Sequence, residues 1–372
     1  MNRRGFACGL AAAALLFPVF AHASPSINGA GSTAAAPIYR VWSQNYERVS
    51  KTALNYDAIG SSAGLARIRE RKADFGASDV PPSTADLEKD GLIMVPTVVT
   101  AAVPIINVPG VGRGQLRLTG EVLARIFLGQ VTAWNAPEIR ELNPRIDLPA
   151  APIRVVVRAD GSGTTYHFAD FLSKVSAEWA SARGAKSSFP WPGSFVAVKG
   201  SAEVAKSVKT TPGAIGYVDY NYVIEGDLDF AQLRNAAGNF VSPSVDSFVA
   251  AVRASDWYTK GDFKRGLNNM PGAASWPITM GTFAILPHVS TTPDNTVAAL
   301  RFLTWGYLNG DNLAKQANFV PLPERVQAKA YAEISKIVGG SGNPLGARAM
   351  SAPGAKLKSF QDVLLSSVGV QN

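Results

Sequence analysis

Cysteine is nearly absent from this 372-residue chain, and histidine is scarce. Cys8 is the only cysteine, and it lies ahead of the first apolar run, whereas a lipid-modified cysteine would follow that run. The three histidines are far apart and no Asp or Glu cluster has ligand spacing, so the sequence offers neither a disulfide nor a zinc site. A Gly-x-x-x-x-Gly-Lys loop for a nucleotide is also missing. We therefore expect no metal and no cofactor, and a fold stabilised by its own core.

The sequence also lacks an apolar run of the roughly 20 residues that a membrane-spanning helix needs. The run from about residue 10 to residue 20 is shorter and is interrupted by Pro18; it follows Arg3 and Arg4 and precedes small residues. This pattern predicts a secretory signal peptide over residues 1–23, cleaved after Ala23, and a periplasmic protein. Two alternatives stay open: an uncleaved anchor, and a twin-arginine signal that exports a folded chain.

Charge of one sign is not strongly concentrated. The net charge is +8, and without the predicted signal peptide 34 Lys and Arg face 28 Asp and Glu, which leaves about +6. Such an excess favours anionic partners only weakly. The densest basic run, residues 67–72, is typical of a solvated helix face, and aromatic and basic residues do not alternate. We expect no nucleic-acid partner and, since nothing indicates an oligomer, a monomer.

Glycine and hydroxyl residues, by contrast, occur together at three places where a strand is expected to lead into a helix. The loops are Gly-Ala-Gly-Ser-Thr (29–33), Gly-Ser-Ser-Ala-Gly (60–64) and Gly-Ser-Gly-Thr-Thr (161–165). Strand-like runs at 49–59 and 153–158 precede the second and third loops, and apolar residues at helical spacing follow. Alternation of strands and helices predicts an α/β architecture with mainly parallel sheets.

Three further segments define the expected chain path. Apolar residues recur at helical spacing from Phe168 to Trp179, which predicts one helix after the third loop. The β-branched runs 95–107 and 276–286 could each carry the chain between two lobes. From Gly340 small and turn-forming residues predict a linker or mobile segment, and apolar residues between 360 and 368 could form a short docking helix.

The second loop also matches the G-x-S-x-G pattern of serine hydrolases, which would make Ser62 a nucleophile. Enzymes of this class place an acid and then a histidine after the serine, which leaves His288 as the base. The chain has no His-Gly-Gly run to supply an oxyanion hole. A secreted serine hydrolase therefore stays as the alternative function, and we expect a protein that is not an enzyme.

The same three loops could instead surround an anion. Their glycines allow close backbone approach, their hydroxyls donate, and the free N–H groups of a following helix favour negative charge. Arg158 precedes the third loop, where its guanidinium could pair with two oxyanion oxygens while Asp160 holds its orientation. Asp79 would suit such a site only if the ligand carries a proton that it can accept. Taken singly, each loop could be a helix cap and each charged residue a surface pair or turn residue.

Seven stretches resemble the PstS-type periplasmic phosphate-binding proteins, which feed a phosphate ABC importer. They run in order through nearly the whole chain: GAGSTAAAPIYRVW (29–42), NYDAIGSSAGLARI (55–68), ADFGASDVPPS (73–83), VVVRADGSGTT (155–165), PGAIGYVDY (212–220), SWPIT (275–279) and FVPLPE (319–324). The resemblance implies a two-lobed periplasmic binding protein fold of type II that closes at a hinge around phosphate and delivers it to an inner-membrane permease. The expected boundaries are residues 24–102 and 281–345 for lobe 1, 103–280 for lobe 2, and 346–372 for a C-terminal tail outside the resemblance.

The resemblance also implies residue roles. Asp79 would accept the proton of phosphate and so reject sulfate, which is fully deprotonated near neutral pH. Ser62 would be the neighbour of a ligand residue. Ala34-Ala35 stands where the family usually has Phe-Pro, so affinity, closure and the choice between phosphate and another oxyanion stay open. The expected phosphate contacts are Thr33, the N–H of Ala34, Ser61, Asp79, Arg158, Ser162, Gly163 and Thr164, with Asp160 in support.

Overall fold

The computed structural model describes residues 26–350, so the predicted signal peptide and the predicted docking helix lie outside the described residues. The strands are β1 (Ser26–Gly31), β2 (Ala53–Asp57), β3 (Phe75–Ser78), β4 (Leu92–Asn107), β5 (Arg117–Leu118), β6 (Arg154–Arg158), β7 (Val196–Val198), β8 (Ala214–Asp219), β9 (Asp229–Phe230), β10 (Gln232–Arg234), β11 (Phe240–Val241), β12 (Thr279–Pro287), β13 (Val289–Ser290) and β14 (Val338–Gly339). The helices are α1 (Ala36–Ser50), α2 (Ser61–Arg69), α3 (Thr84–Asp90), α4 (Gly120–Phe127), α5 (Pro137–Leu142), α6 (Gly163–Val175), α7 (Ala177–Ala182), α8 (Gly200–Thr210), α9 (Tyr220–Glu225), α10 (Val245–Arg253), α11 (Asp256–Lys260), α12 (Pro293–Asn309), α13 (Asp311–Gln316), α14 (Glu324–Ser335) and α15 (Leu345–Met350).

A nine-stranded sheet runs through the molecule in the order β2-β1-β3-β12-β4-β8-β6-β7, with β9 also paired to β4. The long strand β4 connects its two parts, because residues 92–101 pair with β12 and residues 102–107 pair with β8. β1 is parallel to β2 and β3 in one part, and β6 is parallel to β7 and β8 in the other. We call the part built on β1–β3 and β12 lobe 1, and the part built on β6–β8 lobe 2. This is the two-lobed α/β fold that the resemblance implies. The expectation of mainly parallel sheets is wrong at the centre, because β4 and β12 run antiparallel to the strands beside them.

The core lies around β4 and β12, whose side chains are almost all buried. Both strands read as nearly continuous apolar runs, which is typical of strands covered on both faces. In lobe 1 the apolar face of α1 packs against α12, with Trp42 and Tyr46 in contact with the ring of Phe302. Within residues 26–350, no helix combines the length and apolarity needed to cross a membrane.

Three predicted elements differ from the structure. The strand predicted from Val49 is wrong at its start. Helix α1 continues to Ser50, and its C-cap residue Lys51 is left-handed with a φ of 59°, so β2 begins only at Ala53. The single helix predicted through Trp179 is two helices, since Ser176 is extended and caps α7.

The third difference concerns the predicted linker after Gly340. Residues 345–350 form the helix α15, which packs on α12 and α14 and buries Leu345 and Ala349. The linker prediction is therefore wrong for this stretch, because two apolar side chains spaced one helical turn apart among small residues are enough to dock a short helix.

Candidate functional site

The three glycine-hydroxyl loops meet where the two lobes face each other. The first loop leads into α1 and the second into α2, both in lobe 1, and the third leads into α6 in lobe 2. Gly60 N–H donates to the carbonyl of Gly31 (2.8 Å), which joins the first two loops, and Ser62 N–H donates to the carbonyl of Gly161 (3.2 Å), which joins the second to the third. Three helix N-termini, each with free N–H groups, are thus brought together.

Arg158 is the buried cation of this site. It ends β6 and its side chain is only 1% exposed. Its Nε donates to Asp160 Oδ1 (2.7 Å) and its Nη2 to Asp160 Oδ2, a bidentate pair that fixes the plane of the guanidinium. The third nitrogen, Nη1, donates to Ser201 Oγ (3.0 Å) and, at 3.4 Å, to Thr33 Oγ1 across the lobes. Burial raises the pKa of Asp160, but its hydrogen bonds and the charge of Arg158 hold that pKa below the usual value.

Asp79 is the buried carboxylate of this site. It follows β3 in lobe 1 and is 1% exposed. Ser32 Oγ donates to Oδ1 (2.6 Å) and Ser61 Oγ donates to Oδ2 (3.2 Å). Burial and the nearby carboxylate of Asp219 raise the pKa of Asp79 to about 7, against the opposing effects of the two hydroxyls and Arg158. The group can therefore accept or donate a proton near neutral pH.

Gly163, the first residue of α6, lies directly against Asp79. A Cβ at this position would be 2.5 Å from both Cβ and Oδ2 of Asp79 and 2.7 Å from Ser61 Oγ. Such distances are shorter than any real Cβ contact, so only glycine lets the third loop approach lobe 1 this closely.

The hydroxyls of the third loop are oriented within lobe 2. Ser162 Oγ accepts from Thr165 N–H (3.2 Å) and so caps α6, while Thr164 Oγ1 donates to Asp219 Oδ1 (2.8 Å). Ala34 is buried beside the first loop, at 1% exposed. The structure thus brings the predicted site residues of lobes 1 and 2 to one buried region; their contacts with a ligand stay a prediction.

Four further polar residues belong to this region and were missed by the sequence analysis: Ser32, His167, Ser201 and Asp219. Ser32 and Asp219 carried a local signal, since Ser32 lies within the first loop and Asp219 ends a buried strand. Ser201 also carried a local signal, because it follows Gly200 at the start of α8, whereas His167 lies inside α6 and only its tertiary contacts show its place.

The arrangement needed for a serine hydrolase is not among the described contacts. Ser62 is exposed, and its Oγ is 3.3 Å from Ser187 Oγ. His288 is exposed beyond β12, where its main-chain N–H donates to the carbonyl of Gly91 (2.9 Å). Ser62 and His288 therefore share no hydrogen bond within residues 26–350.

Comparison with known proteins places the chain in a family. The sequence model of a family described as a PBP superfamily domain matches residues 18–296. The phosphate-binding protein PstS of Xylella fastidiosa (strain Temecula1) is 40% identical over 310 residues, which cover 83% of this chain and 85% of that protein. The protein of the same name from Pasteurella multocida is 40% identical over 322 residues, 86% of this chain and 93% of that protein.

Solved structures show the same fold. A high-affinity periplasmic phosphate-binding protein, PfluDING, bound with phosphate, has a TM-score of 0.63 at 22% identity, covering 82% of this chain and 93% of its own. The phosphate-binding protein from Stenotrophomonas maltophilia has the same TM-score at 20% identity and the same coverage. By sequence and by fold, then, this chain belongs to the PBP superfamily and, within it, to the family of the PstS phosphate-binding proteins.

Proposed function

We propose that this protein binds inorganic phosphate between its two lobes and delivers it to an ABC importer without catalysing a reaction. The observation that carries the proposal is that one buried cation, Arg158, and one buried carboxylate, Asp79, come from the two lobes to the first loop, where Thr33 Oγ1 accepts from Arg158 and Ser32 Oγ donates to Asp79. Relatives that are 40% identical over most of their length are named phosphate-binding proteins.

The geometry of Arg158 suits a tetrahedral oxyanion. Asp160 occupies the Nε and Nη2 edge, so the remaining Nη1 is directed towards the hydroxyls of Ser201 and Thr33. A phosphate oxygen near Thr33 would receive this charged donor among buried side chains, where a charge-assisted hydrogen bond is strong. The N-termini of α1, α2 and α6 add main-chain donors and the positive ends of three helix dipoles.

The proposed ligand contacts combine these groups. Asp79 accepts the proton of phosphate, and the other groups donate to its oxygens. Ser61 and Thr164 would donate through their main-chain N–H groups, because their hydroxyls already donate to Asp79 and Asp219. Asp160 supports the guanidinium. The donors are Thr33, the N–H of Ala34, Ser61, Arg158, Ser162, Gly163 and Thr164.

The test is calorimetric titration of the mature chain, freed of bound anion by unfolding and refolding, with phosphate and then with sulfate at equal ionic strength. We expect one phosphate to bind per chain and little response to sulfate, because sulfate brings no proton to Asp79. A site built around a ligand hydrogen bond can reject an analogue without it by about 10⁴ to 10⁵-fold. In Asp79→Asn this preference should largely disappear. A folded protein that does not bind phosphate would contradict the proposal. An unchanged preference for phosphate over sulfate in Asp79→Asn would contradict the role of Asp79.

The site of action belongs to the same proposal. Export by the predicted signal peptide, residues 1–23, would place the mature chain in the periplasm. There a monomer could offer its closed, loaded form to the permease in the inner membrane.

A further inference from the structure

A histidine connects the two lobes next to the proposed ligand. His167 lies on α6 in lobe 2 and is 4% exposed. Its Nε2 donates to the main-chain carbonyl of Asp79 in lobe 1, at 2.8 Å. The proposed function gives His167 no contact with the ligand. The hydrogen bond of His167 nevertheless joins it to Asp79, whose carboxylate is proposed to accept the proton of the ligand.

The protonation state of this imidazole is set by its other neighbour. Asn268 Nδ2 is 3.1 Å from His167 Nδ1, and it also donates to the carbonyl of His167 (3.2 Å) and to Asp170 Oδ2 (2.8 Å). A flipped amide would direct its oxygen at a carbonyl and a carboxylate. Asn268 therefore presents its NH₂ group, whose two protons are shared among three acceptors. A proton on Nδ1 would face this donor, and Nε2 faces a carbonyl, so the single proton of the ring must lie on Nε2.

From this geometry we propose that His167 is the positioning residue that holds the cleft closed: its neutral imidazole ties α6 to the backbone of Asp79, and protonation of the ring releases the tie. The inference rests on the proposed function, since closure matters here because it encloses phosphate. In the closed form a second ring proton would point at the NH₂ group of Asn268, two donors facing each other in a buried place.

Opening of the lobes would change the surroundings of the ring. Burial lowers the pKa of His167 in the closed form. The charged groups that face it are Asp170 and Lys174 on its own helix, which pair with each other at 2.8 Å, while Asp79 of lobe 1 contacts the ring through its main-chain carbonyl. Once open to solvent, the ring should titrate near its ordinary pKa of about 6.5. Below that pH the open form gains a proton that the closed form cannot hold, so acid should favour opening and weaken binding.

Two substitutions separate the hydrogen bond from the charge. His167→Phe removes the donor, whereas His167→Gln keeps an N–H near the position of Nε2 and cannot titrate. The matched control is His288→Gln, because His288 is exposed in lobe 1 and away from the cleft. We would measure phosphate affinity by calorimetry and release rate by stopped flow from pH 5.5 to 8, and the unfolding midpoint of each ligand-free variant.

At pH 7.5 we expect His167→Phe to bind phosphate about 10-fold more weakly, chiefly through faster release, as for the loss of one buried hydrogen bond. The affinity of His167→Gln for phosphate should be within about threefold of that of the unsubstituted protein, because its side-chain N–H can replace the lost hydrogen-bond donor. Below pH 6.5 the unsubstituted protein and the control should lose affinity relative to His167→Gln. Phosphate and Asp79 also ionise in this pH range, but they are present with every variant, so the ratio of affinities isolates the histidine.

The outcomes distinguish the two proposals. If the unsubstituted protein binds phosphate and His167→Phe binds it equally well, or His167→Gln keeps the same pH profile, the inference about His167 is wrong and the proposed function stands. If the unsubstituted protein binds no phosphate, the proposed function fails. In that case ¹⁵N NMR of the ring decides about His167: an Nε2–H tautomer with a pKa below the ordinary histidine value of about 6.5 supports the tie, and any other result overturns it.

Discussion

Replacing Asp79 by Asn should stabilise the ligand-free protein at neutral and alkaline pH. Asp79 is buried and its pKa in the folded protein is raised from 3.8 to about 7. Between pH 3.8 and about pH 7, Asp79 in the folded state keeps a proton that it has lost in the unfolded state. The contribution of this group to stability is therefore fully present below about pH 4, from the ordinary pKa of aspartate, and is lost as the pH rises through about 7. Asparagine keeps an oxygen that can accept from Ser32 or Ser61 and carries no charge at any pH.

The size of the effect follows from the two pKa values. Their difference of about three pH units, at about 1.4 kcal/mol for each unit, gives roughly 4 kcal/mol. This is a ceiling, because the carboxylate of Asp219 contributes to the rise and both groups respond to each other.

Urea unfolding of phosphate-free protein at pH 5 and pH 8, followed by tryptophan fluorescence, measures the effect. Ligand must be absent, since an anion bound to the folded state would add its own stabilisation. We expect the stability of Asp79→Asn relative to the unsubstituted protein to increase between the two pH values. Asp57→Asn, which changes an exposed carboxylate of lobe 1, should show no such increase. An equal pH dependence in Asp79→Asn and the unsubstituted protein would refute the argument, because Asp79 would then ionise with an ordinary pKa.

Two further substitutions examine the contacts around Asp79. Gly163→Ala places a Cβ 2.5 Å from Asp79 and 2.7 Å from Ser61 Oγ, so it should lower phosphate affinity at least about 10-fold and also lower the unfolding midpoint of the ligand-free protein relative to the control Gly193→Ala. An affinity and a midpoint equal to those of the control would show that α6 does not pack this closely on Asp79. Ser32→Ala removes a hydroxyl that lowers the pKa of Asp79, so the loss of stability should still begin near pH 4 but continue to higher pH than in the control Ser43→Ala, whose hydroxyl bonds only within α1. Identical pH profiles in urea unfolding would count against the hydrogen bond from Ser32.

The sequence predicted the parts of the site that depend on local chemistry. Glycines beside hydroxyls before a helix indicate an exposed N-terminus wherever they occur, and Arg158 was placed correctly because it ends a strand that the β-branched run already indicates. Long-range pairings could not be predicted in the same way. Ser201 contacts Arg158 and His167 contacts Asp79 only because α8 and α6 meet other elements in three dimensions. The break at Ser176 was missed because the apolar spacing of α6 continues through it.

The place of β12 in the sheet has a consequence for how the chain acquires its structure. β3 and β4 follow each other closely in sequence, but β12 lies between them, so Ser78 pairs with Phe283. Closing so long a loop is costly in entropy, and chains with many such distant pairings fold slowly. The sheet of lobe 1 therefore cannot be completed on the ribosome until about three-quarters of the chain, up to Pro287, has been synthesised. Until β12 has been made, the main-chain groups of β3 and of residues 92–101 of β4 that it pairs with have no partner in the sheet.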